Sequence, residues 1–238
     1  MPDAFRSDGL AEPKCPARLT LVIAHLGAGG AQKVLISLAN HWATLGFTVT
    51  LVSVASIQSP LYFKPHDSVT LIDLSLAGEA KGLWQALTNN LRRLARLRHV
   101  IHESRPDAVL SFLSVTNINT LIATRGLGVQ VIVSERGDPD RATLSPFRRW
   151  LRRVVYPWAF RLVTQTEHAR DRFRGTVQRR ALVIPNPVDT PTIHRPANGC
   201  TVVGVGHLVD VKGFDILLEA FARVAGRHGE WRLVIWGE

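Results

Sequence analysis

Apolar residues along this chain recur with two different periods. Short runs such as "RLTLVIAH" (18–25), "FTVTLVSVAS" (47–56), "VTLIDLSL" (69–76), "DAVLSFL" (107–113) and "VQVIVSE" (129–135) have strand length and are apolar almost throughout. Between them, "AQKVLISLANHWATLG" (31–46) has helical spacing and stops at Gly46. The longer "GLWQALTNNLRRLARLRHVIHESRP" (82–106) puts Leu83, Leu87, Leu91, Leu94 and Leu97 on one face and ends at Pro106. A further helix is predicted within "TNINTLIATRGL" (116–127) and a basic one near 145–157. Strand "FRLVTQT" (160–166), helix "EHARDRFR" (167–174) and strand "ALVIPNP" (181–187) follow. Strands apolar on both sides, alternating with helices, predict an α/β fold with a parallel sheet covered on both faces.

The rhythm breaks in "NPVDTPTIHRPANG" (186–199), where Pro187, Pro191 and Pro196 fall in a stretch without periodicity. Beyond it, "CTVVGVGHL" (200–208), "GFDILLEAFARVAGRHG" (213–229) and "WRLVIWGE" (231–238) read as one more strand, helix and strand. The expected organisation is a loose tail over 1–17, a Rossmann-like domain over 18–187, a linker over 188–199 and the start of a second domain over 200–238. One such unit lacks the sheet partners that bury both its faces. The second domain is therefore expected to be incomplete, and its last forty or so residues poorly soluble.

Composition narrows the class. The chain is 46% hydrophobic and 20% charged, values ordinary for a soluble globular protein. No apolar run is long enough for a membrane-spanning helix, and the N-terminus lacks the apolar core of a secretory signal. The two cysteines, Cys15 and Cys200, suggest neither a disulfide framework nor a metal site, which favours a reducing cytoplasm. The formal charge of +10 comes mostly from arginines between residues 92 and 180. It favours an anionic partner, whether nucleic acid, nucleotide phosphate or membrane surface, against the alternative of a solvated basic face. In "SPFRRWLRRVVYPWAFRLV" (145–163), Arg148, Arg149, Arg152 and Arg153 interleave with Trp150, Leu151, Tyr156 and Trp158. Arginine with tryptophan on a short helix suits an anionic bilayer, so Arg148, Arg149, Trp150, Arg152 and Arg153 are expected to face a membrane. The competing reading is a surface helix whose aromatics are core. No nucleic-acid module's pattern accompanies the patch, so a nucleic-acid partner is not expected.

Candidate chemistry begins at "HLGAGGAQ" (25–32), where glycines join a strand to a helix, the usual way to bring a phosphate onto backbone N–H groups. A dinucleotide fingerprint would need glycine where Gln32 stands, and an acidic residue at the end of the second strand, where Ser53 and Ser56 stand. A triphosphate loop would need Gly-Lys followed by Ser or Thr, which is absent. Two readings stay open from the loop itself: a nucleotide-sugar diphosphate site, or glycines that only let the helix pack close.

Four blocks in order, "GAGGAQKVLISLANHWATLGFTVTLVS", "VIVSERGDPDR", "VIPNPVD" and "VGVGHLVDVKGFDILLEAF", together resemble glycosyltransferase family 4. The "SERGDP" block resembles in particular members that extend bacterial cell-surface polysaccharides on lipid carriers. The resemblance implies a GT-B fold, with a Rossmann-like first domain facing a second nucleotide-sugar-binding domain. It implies transfer of a sugar from a nucleotide-diphosphate donor, a UDP-sugar, to a lipid-linked saccharide, with retention and without a metal or other cofactor.

By the same resemblance Gly29 and Gly30 would meet the donor diphosphate, and Lys212 would neutralise the leaving group. His207 stands where the family places an arginine, replacing a permanent charge with a mostly neutral ring. Glu135 stands near the place of a family histidine beside the transferred sugar, as the expected catalytic carboxylate. Arg136 beside it and Asn117 are expected at the acceptor, against the alternatives of local ion pairs and a helix cap. The family's pair of donor-holding glutamates would lie beyond Glu238. The chain is thus expected to be truncated and inactive alone, with a non-catalytic acceptor- or membrane-binding fragment as the alternative. The expected location is the inner face of the cell membrane, as a peripheral cytoplasmic protein.

Overall fold

The computed structural model describes residues 17–55, 61–75, 83–140, 144–188 and 199–237, with the backbone alone for 83–87 and 211. The tail over 1–16, most of the linker and the final Glu238 lie outside the described residues, as do the predicted ends of the second and third strands. Two compact units divide the chain at Pro187 and Val188.

In the first unit, strands β1 (Arg18–Ile23), β2 (Thr48–Ser53), β3 (Thr70–Asp73), β4 (Ala108–Phe112), β5 (Gln130–Ser134), β6 (Arg161–Thr164) and β7 (Ala181–Val183) form one sheet. Its order is β3-β2-β1-β4-β5-β6-β7, and every pairing is parallel. Helices α1 (Gly30–Thr44), α2 (Leu83–Ser104), α3 (Ser114–Ala123), α4 (Pro146–Val155), α5 (Glu167–Asp171) and α6 (Gly175–Arg179) connect the strands, and a 3-10 turn over Tyr156–Trp158 extends α4.

The sheet is buried on both faces because its strands carry apolar residues at both parities. Leu21 and Ile23 of β1 pack with Val34, Leu35 and Ala39 of α1 on one face. Val22 between them packs on the other, with Leu97 and Ile101 of α2 and Ile118 and Leu121 of α3. At about 25 cal/mol per Å² of apolar area, each such fully buried side chain contributes roughly 1.5–3 kcal/mol before entropy is counted.

Helix α2 departs from the predicted face. Leu97 and Ile101 are buried and Leu94 packs partly against them, whereas Leu91 is exposed. The leucines are spaced four, four, three and three residues apart, and at about 100° per residue Leu91 stands about 120° around the helix from Leu97. Helix α6 was not predicted, since its five residues hold no periodicity. It starts at Gly175, whose φ of 62° is a left-handed conformation that glycine takes without strain.

The second unit holds β8 (Thr201–Val205) and β9 (Arg232–Trp236), paired in parallel and joined through α7 (Phe214–Ala225). A 3-10 turn over Asp210–Lys212 and Gly213, with φ of 65°, lead from β8 into α7. Phe214 and Leu217 of α7 lie so close over β8 that a side chain at Gly204 would stand 3.0 Å from both.

Candidate functional site

The order of the first sheet reverses between β1 and β4, and the carboxyl ends of strands at such a reversal are where α/β sheets hold their ligands. Three segments meet that edge: the glycine loop after β1, Leu113 and Ser114 after β4, and Glu135 and Arg136 after β5.

Gly29 is the N-cap of α1 and takes an extended backbone. The first turn of α1 holds no acidic residue and Gly29 supplies no side-chain cap, so the positive end of the helix dipole is not compensated from within the helix. Gln32 folds back over the loop, and its side-chain nitrogen stands 3.3 Å from His25 Nδ1, which also accepts from Gly27 N–H at 3.3 Å. A side chain at Gly29 would run into the Gln32 amide, whereas Gly30 faces open space. Gly29 thus makes room for Gln32, and Gly30 leaves the helix end accessible.

Glu135 is only 4% exposed. The Ser114 hydroxyl lies 2.7 and 2.9 Å from its two oxygens, and Tyr156 donates to Oε1. Burial pushes the carboxyl above the usual carboxylate range, against the opposing pull of Tyr156, Ser114 and the Arg152 charge. Tyr156 is itself raised well above an ordinary phenol, first by burial and then by the Glu135 charge. The two groups hold their protons more tightly than either would in water.

Tyr156 is placed by packing. Its ring stacks on Phe173 at 5.9 Å, and the Arg152 guanidinium lies 5.7 Å from the same phenylalanine. The loop that follows Glu135 is fixed on the same side. Arg152 donates to Pro139 O at 3.3 Å, and Asp140 pairs with Arg172 at 3.1 Å.

Arg136 engages other partners. It stacks over Phe112 at 4.5 Å, donates to Asn186 Oδ1 at 2.5 Å and reaches Ser134 Oγ at 3.4 Å. Its Nε is buried with no hydrogen-bond partner, and burial lowers its pKa. The local Glu135–Arg136 ion pair weighed from sequence is replaced by these two separate sets of contacts. Asn186 was read only as part of the "VIPNPVD" block.

Asn117 is corrected from an acceptor ligand to an internal strut. It is fully buried, donates to Ser134 O at 3.0 Å and Tyr156 OH at 3.2 Å, and accepts from Ser111 at 2.7 Å. Nor is it a cap, since the residue before α3 is Leu113. Of the arginines expected on a membrane, Arg152 turns inward as described, half-buried between Pro139 and Phe173. It shares a helix face with Tyr156 four residues on, which is the core-facing side. Arg148, Arg149, Trp150 and Arg153 are exposed, with Arg149 Nε donating to Leu144 O at 3.0 Å.

In the second unit His207 and Lys212 are both exposed beyond the carboxyl end of β8. The aliphatic stem of Lys212 passes beside Gly206, where an added side chain would stand 3.7 Å from its Cδ. Among the described residues no group of three or more His, Cys, Asp or Glu is placed to hold a metal ion. No described helix is long and apolar enough to cross a membrane.

Sequence reasoning gave Ser114 and Tyr156 no part in the site. In sequence Tyr156 falls among the aromatics of the basic helix; the signals that set it apart are that it is one of two tyrosines in the chain and stands four residues from Arg152. Ser114 carried no signal.

A doubly wound parallel sheet with a glycine loop and a buried carboxylate on its switch edge defines a Rossmann-like domain. The chain belongs to the glycosyl transferase 4-like domain family, which matches residues 29–187. It is 30% identical over 142 residues, 59% of this chain and 38% of the relative, to a Campylobacter jejuni enzyme. That relative is GalNAc-alpha-(1->4)-GalNAc-alpha-(1->3)-diNAcBac-PP-undecaprenol alpha-1,4-N-acetyl-D-galactosaminyltransferase. An uncharacterized glycosyltransferase of Haemophilus influenzae is 23% identical over 214 residues, 88% of this chain and 58% of the relative. The chain thus spans between about four- and six-tenths of the length of these relatives.

Among solved structures, sucrose-phosphate synthase from Thermosynechococcus elongatus superposes with a TM-score of 0.72 at 13% identity, over 92% of this chain and 62% of that one. The lipopolysaccharide outer core galactosyltransferase WaaB, in its apo form, gives 0.63 at 11% identity, over 92% and 68%. Anabaena HepE in complex with UDP and glucose gives 0.66 at 14% identity, over 92% and 60%. These likenesses establish the fold.

Proposed function

We propose that this chain carries the acceptor-side domain and part of the donor side of a bacterial glycosyltransferase. It transfers a sugar, with retention, from a nucleotide-diphosphate donor of the UDP-sugar type to a lipid-linked saccharide of a cell-surface glycan. The observation that carries the reading is the switch edge itself: in a member of this family it holds an uncapped helix end, the buried Glu135 and the half-buried Arg136. The Campylobacter relative's undecaprenol-linked acceptor supports the lipid-linked class, and that acceptor chemistry supports a peripheral position at the inner face of the cell membrane.

In this reading Gly29 and Gly30 of the first unit are donor-binding through their N–H groups, and within the second unit Lys212 and His207 bind the donor's diphosphate. Negative charge grows there as the glycosidic bond breaks, and fixed donors and a cation are most effective at that place. Glu135 faces the reacting sugar and Arg136 the acceptor. In the whole enzyme, incubation with a panel of UDP-sugars and a polyprenyl diphosphate-linked saccharide is expected to yield an acceptor heavier by one sugar and free UDP. No incorporation from any donor, together with no UDP binding by calorimetry, overturns the reading.

A second reading, a non-catalytic acceptor- or membrane-binding unit, draws on the second unit's open surface. Val203 and Val205 of β8 and Ile216 and Leu218 of α7 are all exposed, so the described donor side has little core of its own. Acceptor or lipid binding without UDP affinity selects this reading over the first.

A further inference from the structure

We infer that the exposed flank of α4 is a docking surface for an anionic lipid bilayer, with Phe147, Trp150 and Val154 entering the interface and Arg148 and Arg153 meeting lipid phosphates. The inference deepens the membrane location proposed above and stands or falls without the sugar chemistry.

Phe147, Trp150 and Val154 lie at i, i+3 and i+7, and so form one stripe along the helix. That stripe faces solvent: Phe147 is 65% exposed, Trp150 56% and Val154 41%. The core is served by a neighbouring line on the same helix, in which Leu151 packs partly and Val155 is fully buried. Phe147 and Trp150 stack at 5.8 Å, so the first two turns present a preformed aromatic plate. Trp158, just beyond α4, continues the apolar exposure, and Arg125 lies 4.8 Å over its indole.

Charge selects the partner. The segment "PFRRWLRRVV" contains four arginines and no acidic residue, and Arg148 and Arg153 are exposed beside the stripe. Aromatic residues with arginine on a short helix that lies flat fit the headgroup region of a bilayer. An apolar protein partner would leave the guanidinium groups uncompensated, whereas anionic headgroups pair with them at about a fivefold gain in affinity per basic residue.

The placement also fits. The α4 segment runs antiparallel to β5, as three pairings four residues apart show. Phe160 N–H donates to Val131 O at 2.8 Å, Tyr156 to Glu135, and Arg152 to Pro139 O at 3.3 Å. The aromatic first turns of α4 therefore lie at the carboxyl edge of the sheet, the edge that carries Glu135 and the glycine loop. A bilayer met by this flank stands beside the mouth of the candidate site.

Vesicle flotation of the full chain tests the inference, using phosphatidylcholine vesicles with and without added phosphatidylglycerol. Neither kind contains sugar donor or saccharide carrier, so failure of glycosyl transfer does not bear on the result. The chain is expected to float with the anionic vesicles alone and to be released as salt rises. Arg148→Ala with Arg153→Ala is expected to weaken binding roughly thirtyfold. Phe147→Ser with Trp150→Ser, made at exposed positions so that the circular-dichroism melt is preserved, is expected to abolish insertion. Insertion is read in the wild type by quenching of tryptophan fluorescence with lipids brominated along the acyl chain, and in the variant, which lacks Trp150, by the fraction that still floats at high salt. Equal flotation with both vesicle kinds, or unchanged binding in both variants, overturns the inference. So does a dimer that the Phe147→Ser, Trp150→Ser protein no longer forms and that excludes lipid.

Discussion

Tyr156, the residue that closes α4, donates its phenolic proton to Glu135 at the end of β5, and neither group is open to solvent. The contact ties the basic helix to the floor of the candidate site across 21 residues of sequence. It also leaves the site with a carboxyl raised above its ordinary pKa, since burial outweighs the hydrogen bonds that favour the charge.

Glu135→Gln is expected to change the pH dependence of stability in a defined direction. A carboxyl whose folded pKa is raised binds its proton more tightly folded than unfolded. Its contribution is fully present below the ordinary carboxylate pKa and is lost as pH rises through the raised value. The glutamine variant keeps an acceptor for Tyr156 and does not titrate. The difference in unfolding free energy between variant and wild type, measured in urea at a series of pH values, should grow in the variant's favour from acid towards neutral pH. A flat difference would show that Glu135 ionises at no cost.

Removing the phenolic oxygen tests the same contact from its other side. Tyr156→Phe takes a donor from Glu135 and an acceptor from Asn117. A buried group left without its partner costs about 1–3 kcal/mol. The loss should be smaller in a Glu135→Gln background, where no carboxylate is left unpaired, so the double-mutant cycle should give a coupling above about 0.5 kcal/mol. Additive losses would mean that the two side chains stabilise the fold independently.

Leu113 holds the turn between β4 and α3 at φ 76° and ψ 138°, a region costly for a branched side chain. Its N–H donates to Ser134 O at 3.1 Å and its carbonyl accepts from Asn117 N–H at 2.8 Å, so both neighbours hold the strained geometry in place. Leu113→Ala and Leu113→Gly delete the same packing, yet only glycine relieves the backbone. The glycine variant should be the more stable by about 1 kcal/mol, the reverse of the usual order, as read from thermal melts. Equal stabilities would place the strain elsewhere.

Much of this architecture was legible because the strands are apolar at both parities. Leu21, Val22 and Ile23 already require two covered faces, and Gly46, with φ 83°, marks where α1 had to stop. What periodicity could not supply was closure across the chain. Glu135 was visible as a residue after a strand, but its partners Ser114 and Tyr156 come from the ends of other elements. Arg152 looked interchangeable with Arg153 because both are arginines in one run. Their positions on the helix differ by about 100°, which turns one towards Phe173 and the other towards water. Asn117 was misplaced for the same reason: its polarity suggested a ligand, while three buried partners had already claimed it.

Donor affinity gives the last prediction, and it concerns the second unit. Lys212 and His207 are exposed beyond the end of β8, where a diphosphate bound to this strand–helix unit would lie. If Lys212 pairs with the diphosphate, Lys212→Ala removes a charged hydrogen bond of about 1.5–3 kcal/mol. UDP should then bind roughly ten- to a hundredfold more weakly by calorimetry. Arg227→Ala is the matched control: it removes the same charge from an exposed position after α7, where the chain has returned to the amino end of the strands. His207→Arg should act in the opposite sense, since a guanidinium puts a permanent charge and a two-pronged donor in place of the imidazole. Tighter binding in His207→Arg with weaker binding in Lys212→Ala places the diphosphate between the two. Weakening by Arg227→Ala as large as by Lys212→Ala would reduce both effects to net charge and remove the diphosphate from this end of β8.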